Sequence, residues 1–309
     1  MDNHPHSHSR WLRCFGLSAC AAVSFISNAQ AGTPALAAKN PTTPVEAISW
    51  KDHTIAPVTN PIFFEDAVIR SELRPIFVHH TIDDGFAAGG GSAQLYALQI
   101  RYALTDRLAL IANQDGYFKI HNKALNDPEG WMDLALGFKY AMIDDEANHF
   151  ILTPGLTFHI PTGERDVFQG RGGGEFNPFV SFQKGYGDFH VSGNLGVRIP
   201  VSQDEQNTVA HYSLMLDYYT CRYFIPFISA NFFTNLDNGT NFPGLRGNGY
   251  DVINFGGSNA SGTTQGMVGV GFRSRLLDNV DFGVAYEMAA VGSYGLTNNR
   301  VTMDFCIRF

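Results

Sequence analysis

The stretch Phe189–Ile199, FHVSGNLGVRI, sets Phe189, Val191, Leu195, Val197 and Ile199 on alternate positions, with His190, Ser192, Asn194 and Arg198 between them. A strand turns successive side chains to opposite faces, so this segment has one oily face and one polar face. The same period sets Met132, Leu134, Leu136, Phe138 and Tyr140 against Asp133, Gly137 and Lys139. It also sets Tyr212, Leu214, Leu216 and Tyr218 against His211, Ser213 and Asp217. Worked outward, the pattern divides the chain into segments of about ten residues, the length a tilted strand needs to cross a bilayer. They are Val68–His80, Ser92–Ala103, Arg107–Ile120, Trp131–Met142, Asn148–Ile160, Gly174–Lys184, Asp188–Ile199, Val209–Tyr219, Tyr223–Thr234, Thr264–Arg275, Val280–Val291 and Arg300–Phe309.

The connections alternate in length. Short ones fall near Thr105–Asp106, Asp144–Asp145, Gly185–Gly187, Thr220–Arg222 and Leu277–Asn279. Longer ones fall near Asp83–Gly91, His121–Gly130, Pro161–Gly173, Pro200–Thr208, Leu236–Thr263 and Gly292–Asn299. An even-stranded outer-membrane barrel has this rhythm, with short periplasmic turns and long external loops. The last segment, RVTMDFCIRF, alternates to a terminal aromatic, Phe309. That ending resembles the carboxy-terminal signal read by the barrel assembly machinery, and a soluble β-sandwich has no reason to carry it. The expected fold is all-β: a transmembrane antiparallel β-barrel of about twelve strands, over residues 67–309.

Composition agrees. Only 16% of the residues are charged, below the usual share for a soluble domain, while Gly (32) and Phe (25) are abundant. No apolar run of 18 or more residues follows position 40, so helical spans are not expected. The net charge of −8 argues against nucleic acid as a partner, and loss of Asp2, Arg10 and Arg13 with a leader would take it to −9.

Arg10 and Arg13 precede the apolar run CFGLSACAAVSFIS and the small-residue pattern Ala29-Gln30-Ala31. This order is that of a secretory signal peptide over residues 1–31, with Cys20 in a lipobox-like LSAC as a rival reading. His4, His6 and His8 fall within the discarded part. Residues 32–66 carry Pro34, Pro41, Pro44, Pro57 and Pro61 without periodicity, which reads as a periplasmic leader or linker, with a fold-back plug as the alternative. Cys221 and Cys306 remain after cleavage and read as an unpaired pair, although export would permit a disulfide.

With the oily faces against outer-membrane lipid, the candidate lumen-lining residues are Arg70, Glu72, Arg74, Arg101, Asp115, Lys119, Asp133, Lys139, His159, Glu175, Arg198, Asp217, Arg273, Glu287 and Asp304. An Arg or Lys facing lipid at mid-depth costs about 2 to 4 kcal/mol, which is why charge collects on one side. Small inward positions such as Gly137, Gly155, Gly193, Gly196, Gly269, Gly271 and Gly283 favour a narrow pore over a barrel filled by its own side chains.

Sites for chemistry are not evident. GRGGG at Gly170–Gly174 lacks the Lys-Ser/Thr ending of a phosphate loop. His79, His80, His159 and His190 have no metal-ligand spacing. His190, Ser192 and Asn194 share a face, as alternation makes any such trio do, so neither catalysis nor a cofactor is expected.

The run Leu156–Pro200, with IPTG at Ile160–Gly163 and FNP at Phe176–Pro178, resembles the outer-membrane transporter family named for the meta-pathway of phenol degradation. The resemblance runs from about Pro61 to the carboxy terminus. It implies an outer-membrane channel and suggests aromatic or hydrophobic solutes, without assigning solute-binding residues. The functional expectation is passive uptake of small solutes. A closed barrel that binds a surface partner, or a membrane hydrolase, is the alternative.

Overall fold

The computed structural model describes residues 49–292 and 296–309; the signal-peptide and lipobox readings, with the first part of the leader, lie outside them. The described chain is a closed antiparallel β-barrel. Its strands are β1 (Glu72–Ile82), β2 (Gly91–Ala103), β3 (Leu108–Gln114 continued by Tyr117–His121) and β4 (Glu129–Trp131, Leu134–Tyr140 and Ile143–Asp145). Next come β5 (Phe150–Ile160), β6 (Glu175–Tyr186), β7 (Phe189–Pro200) and β8 (Val209–Tyr218). The last four are β9 (Ile225–Asn235), β10 (Thr264–Leu277), β11 (Val280–Val291) and β12 (Asn299–Arg308). Each strand pairs with the next in sequence, and β1 closes the ring on β12 through a register from Glu72↔Arg308 to Thr81↔Asn299. Closure leaves no strand edge, as lipid requires. The twelve strands fall on the twelve alternating segments, except that β1 starts at Glu72 rather than Val68.

Burial follows the alternation. In β7, His190, Ser192, Asn194 and Arg198 are buried while Phe189, Leu195 and Ile199 are exposed. The outer surface is oily at mid-height, as at Leu98, Ile100, Leu136, Phe138 and Leu214. Exposed aromatics mark both rims: Tyr102, Tyr140, Tyr186, Phe189 and Tyr218 near the short turns, and Trp131, Phe176 and Tyr212 toward the long loops. This is the banded surface of a membrane barrel. Among the described residues no helix is long and apolar enough to cross a membrane.

Two irregularities change the phase of the alternation. In β3 the inward residues are Ala109, Ile111 and Asn113, but beyond Asp115–Gly116 they are Phe118 and Ile120. In β4, Gly130 and Met132 face inward before a second shift brings Asp133, Ala135 and Lys139 inward. An extra residue in one strand turns every following side chain to the other face. Lys119 is therefore not a lumen residue: it lies on the outer face, 39% exposed and 2.9 Å from Glu129. Met132, grouped with the lipid face by its spacing, is buried inside. Asp115 sits at the first shift, half-buried, and accepts the Leu98 N–H of β2 at 2.8 Å, which the broken ladder would leave unpaired.

Candidate functional site: the plugged lumen and the aromatic mouth

The segment expected as a leader or linker, with a fold-back plug as the alternative, is described from Ser49, and from Thr54 it lies inside the barrel as a plug. Every residue from Thr54 to Val68 is buried. It enters beside the short turns, where a single 3-10 turn, Trp50–His53, is capped by Ser49 in a capping box with Asp52. There Trp50 stacks on His149 at 5.6 Å, Lys51 donates to Asp144 at 2.7 Å, and His53 stacks on Tyr219 at 4.1 Å. The chain runs inward, bends at Asn60 in the left-handed region (φ 47°), and returns to β1.

A segment without a ladder of its own has its carbonyls satisfied by the wall. Arg273 donates to the Ala56 carbonyl (3.1 Å), Arg74 to Pro57 (2.5 Å), Gln99 to Pro61 (2.8 Å) and Asn113 to Ile62 (2.7 Å). Ser181 donates to the Glu65 carbonyl (2.7 Å) and Thr153 to Ala67 (2.6 Å). The Glu65 carboxylate takes two hydrogen bonds from Arg101, at 2.9 and 2.7 Å, and one from Lys139 at 2.8 Å. Lys139 also reaches the carbonyls of Asp66 and Val68. Arg74 and Arg273 both engage Asp304, the latter at 2.9 Å. Hydrogen bonds to charged groups contribute about 1.5 to 3 kcal/mol and neutral ones about 0.5 to 1.5. The plug is thus held most strongly by β1, β2, β4 and β10, and more weakly by the serine and threonine hydroxyls of β5, β6, β8 and β9.

Twelve of the fifteen candidate lining residues are buried inward: Glu72, Arg74, Arg101, Asp133, Lys139, His159, Glu175, Arg198, Asp217, Arg273, Glu287 and Asp304. Arg70 is partly buried, 3.1 Å from Asp66. Their charges are paired rather than presented to a water column: Arg198 with Glu175 (2.7 Å), Arg300 with Glu287 (2.8 Å), His190 with Asp217 (2.7 Å). The open pore that the small inward residues suggested is filled in this conformation. A Cβ at Gly283 would lie 2.7 Å from Val58, and one at Gly269 3.1 Å from Thr59, so the room those glycines leave is taken by the plug. Gly193 faces outward, against Phe182.

The other half of the lumen is filled from the long-loop end. The loop between β9 and β10 folds inward, with Asp251 held by both oxygens on Arg300 at 2.7 and 2.9 Å. Asn254 donates to Glu175 at 3.0 Å, and Asn248 accepts the N–H groups of Gly249 and Phe255. Tyr250, Val252, Ile253 and Phe255 join Ile62, Phe63, Phe118 and Phe233 in one apolar core. Arg198 joins the two fillings: its guanidinium lies 4.6 Å from the Phe63 ring of the plug and donates to the Tyr250 carbonyl at 3.1 Å.

Above this core the loops form a cavity of 540 Å³ lined by Phe86, Phe168, Phe242 and Phe255 with Leu125 and Leu245. The rings meet edge to face: Phe168 to Phe255 at 5.3 Å, Phe242 to Phe255 at 5.9 Å. The Arg171 guanidinium lies 5.7 Å from Phe242 and 6.0 Å from Phe168. Phe168 has a left-handed backbone (φ 62°) and also borders the polar pocket below, with His159, Glu175 and Arg198. That pocket has room for about one water, at 10 Å³. The sequence offers the Leu236–Thr263 loop, with Phe242 and Phe255, as one to fold into the mouth or bind a ligand, with a mobile surface loop as the equal alternative; Phe86 and Phe168 come from two other loops and carry no signal of their own.

Among the described residues, the trio His190, Ser192 and Asn194 of the hydrolase alternative makes no nucleophile–base hydrogen bond. Ser192 Oγ has no hydrogen-bond partner among the described residues, and both it and His190 are buried. Cys221 and Cys306 are free thiols.

Among solved structures the chain is similar to the COG4313 outer membrane channel from Pseudomonas putida F1, with 17% identity and a TM-score of 0.59 over 83% of this chain and all of that one. It is similar also to the NanC porin, with 9% identity and a TM-score of 0.50 over 77% of this chain and all of that one. At these identities the likeness shows the barrel fold. No curated protein matches the sequence. The model of one family matches residues 72–294, from the first residue of β1 to beyond the end of β11, and the chain belongs to that family, described as "Putative MetA-pathway of phenol degradation".

Proposed function

We propose that this barrel is a passive outer-membrane channel for small aromatic or hydrophobic solutes, captured at the aromatic mouth and passed when the plug shifts. The observation that carries this reading is the 540 Å³ cavity lined by four phenylalanines. Its volume falls in the usual range for small-ligand sites, about 300 to 1,000 Å³. Its edge-to-face rings offer a planar guest the geometry aromatic side chains prefer. Membership of a family described by phenol degradation, and a fold shared with an outer membrane channel and a porin, support the same reading. In this reading the leader is cleaved after Ala31, the short turns and the plug's inner end are periplasmic, and the aromatic mouth opens outside. Phe309 ends the strand offered to the barrel assembly machinery.

Discrimination here is by size and surface chemistry, with no bond made or broken. A second reading, a closed barrel whose loops hold a partner, is favoured by the filled lumen. Single-channel recording of the refolded chain in a planar bilayer separates the two. Discrete conductance steps that benzoate-sized aromatic acids block and sugars leave unchanged are expected. A folded barrel that stays silent under voltage and under added aromatics would overturn the channel.

A further inference from the structure

Buried polar atoms without a partner occur around the whole wall, His80 Nε2, Asn113 Oδ1, Asn231 Oδ1 and Thr302 Oγ1 among them, but they gather most densely on one side of the plug. On β6 and β7, buried polar atoms have no hydrogen-bond partner among the described residues: both amide atoms of Gln183, Nε2 of His190, Oγ of Ser192 and Oδ1 of Asn194. All four side chains are at least nine-tenths buried. They form one patch, because Ser192 pairs in register with Gln183, and Asn194 pairs with Ser181, to which it donates at 2.9 Å. Toward the mouth the file continues through Nδ1 of His211 and Nε2 of His159, likewise unpartnered. His159 borders the polar pocket that Phe168 separates from the aromatic cavity. At the other end the file reaches the place where the plug comes in, and there Trp50 packs against Gly185, the register partner of His190.

A buried polar group without a partner is costly, so a row of them along one wall marks a place where water or a hydrogen-bonding solute would be held. The plug's hydrogen bonds to this wall are neutral, Thr153 to Ala67, Ser181 to Glu65, and Asn60 to Ser213 at 3.0 Å, and its other contacts there are ring contacts of Phe63 with His159, His211 and the Arg198 guanidinium. Elsewhere around the barrel it is gripped by Arg74, Arg101 and Arg273, and by Lys139 on β4 beside this wall. Charged hydrogen bonds are the stronger class, so the plug loosens first from β5–β8.

Resting on the channel reading, we infer that the route past the plug is the polar file along the β5–β8 wall, opened by the plug swinging away from it while its charged grips hold. Solutes that carry a hydrogen-bonding group beside their ring then satisfy in turn the atoms that the closed state leaves unpartnered.

The test places a cysteine on each wall of a chain whose Cys221 and Cys306 are serine. Ser192→Cys reports the file. Ala285→Cys reports β11, where Ala285 shares an apolar cluster with Ile55 and Val58 of the plug. A small charged methanethiosulfonate is added during bilayer recording, after heat-modifiable gel migration has shown both variants folded. Gln183→Cys stands in if Ser192→Cys fails that check. The expected result is a loss of at least half the conductance at position 192 or 183 and no change at 285. Block at 285 as well as at 192, or steady conductance with position 192 unmodified, would overturn the route and leave the channel standing. A folded chain that never conducts would overturn the channel itself.

Discussion

Glu65 is the one carboxylate in the plug that meets two buried cations, Arg101 through both oxygens and Lys139 at 2.8 Å. Glu65→Ala removes the anion and leaves both cations buried, Lys139 fully and Arg101 nearly so. Breaking such a pair by deleting one partner costs about 3 to 5 kcal/mol, mostly the penalty of the charge left behind. The barrel ladder does not involve Glu65, so the loss falls on seating of the plug. At about 1.4 kcal/mol per tenfold, the released population rises by roughly a hundredfold to a few thousandfold. Limited proteolysis of the folded protein reads this population when opening and closing outpace cleavage, so cutting between Ser49 and Ser71 accelerates by the same factor. Glu65→Gln gives a loss of similar size, because charge rather than volume is what the cations lack. A Glu65→Ala protein cleaved in this segment at the wild-type rate would refute the clamp and with it the ranking of the plug's attachments.

The same clamp sets a pH dependence. Burial alone would raise the Glu65 carboxyl's pKa, but Arg101 and Lys139 outweigh it and hold it below the usual carboxylate range. A depressed carboxyl contributes stability above its unfolded pKa of 4.5 and loses it only as pH falls through the folded value. Protection of the plug from protease is therefore expected to stay flat between about pH 5 and 8; a fall within that window counts against the pair. At the mouth, Phe242→Ala removes a ring packed against Phe168 and Phe255. At about 0.5 to 1.5 kcal/mol per aromatic pair, the concentration of aromatic acid that half-blocks conductance is expected to rise by roughly twofold to tenfold. In β3, Gly116 has φ 118° and a Cβ there would lie 2.5 Å from the Tyr96 carbonyl oxygen. Gly116→Val is expected to cost about 1 to 3 kcal/mol, seen as a lower urea midpoint of the folded band. An unchanged midpoint would mean that the phase shift does not depend on this glycine.

The barrel was legible because strand alternation is imposed by lipid on one face and by a crowded interior on the other, so each segment repeats the signal. Phe189–Ile199 shows it residue by residue. What constant-phase reading could not see is where the phase changes: Lys119 counts as inward from Ala109 onward and outward once Asp115–Gly116 intervenes. The plug was legible only as the alternative to a linker, for a different reason. Its carbonyls are bonded by side chains spread around the wall rather than by a ladder, so it has no period, and its prolines look like those of a linker. The signal available was composition, since Ile55, Val58, Ile62, Phe63 and Phe64 are poor residues for a solvated linker. The expectation of a narrow pore followed from preferring the linker, because the inward glycines were counted as space without knowledge of what packs against them.

A passive channel lets its solute cross down the solute's own gradient. The direct measurement is uptake of a labelled aromatic acid into sealed liposomes carrying the refolded chain, with no energy source and with a sugar of similar mass as control. The aromatic acid is expected to equilibrate in proportion to protein added, faster in Glu65→Ala, with the sugar excluded from wild-type vesicles. Uptake no faster than in empty liposomes, for wild type and Glu65→Ala alike, would contradict passage through this barrel.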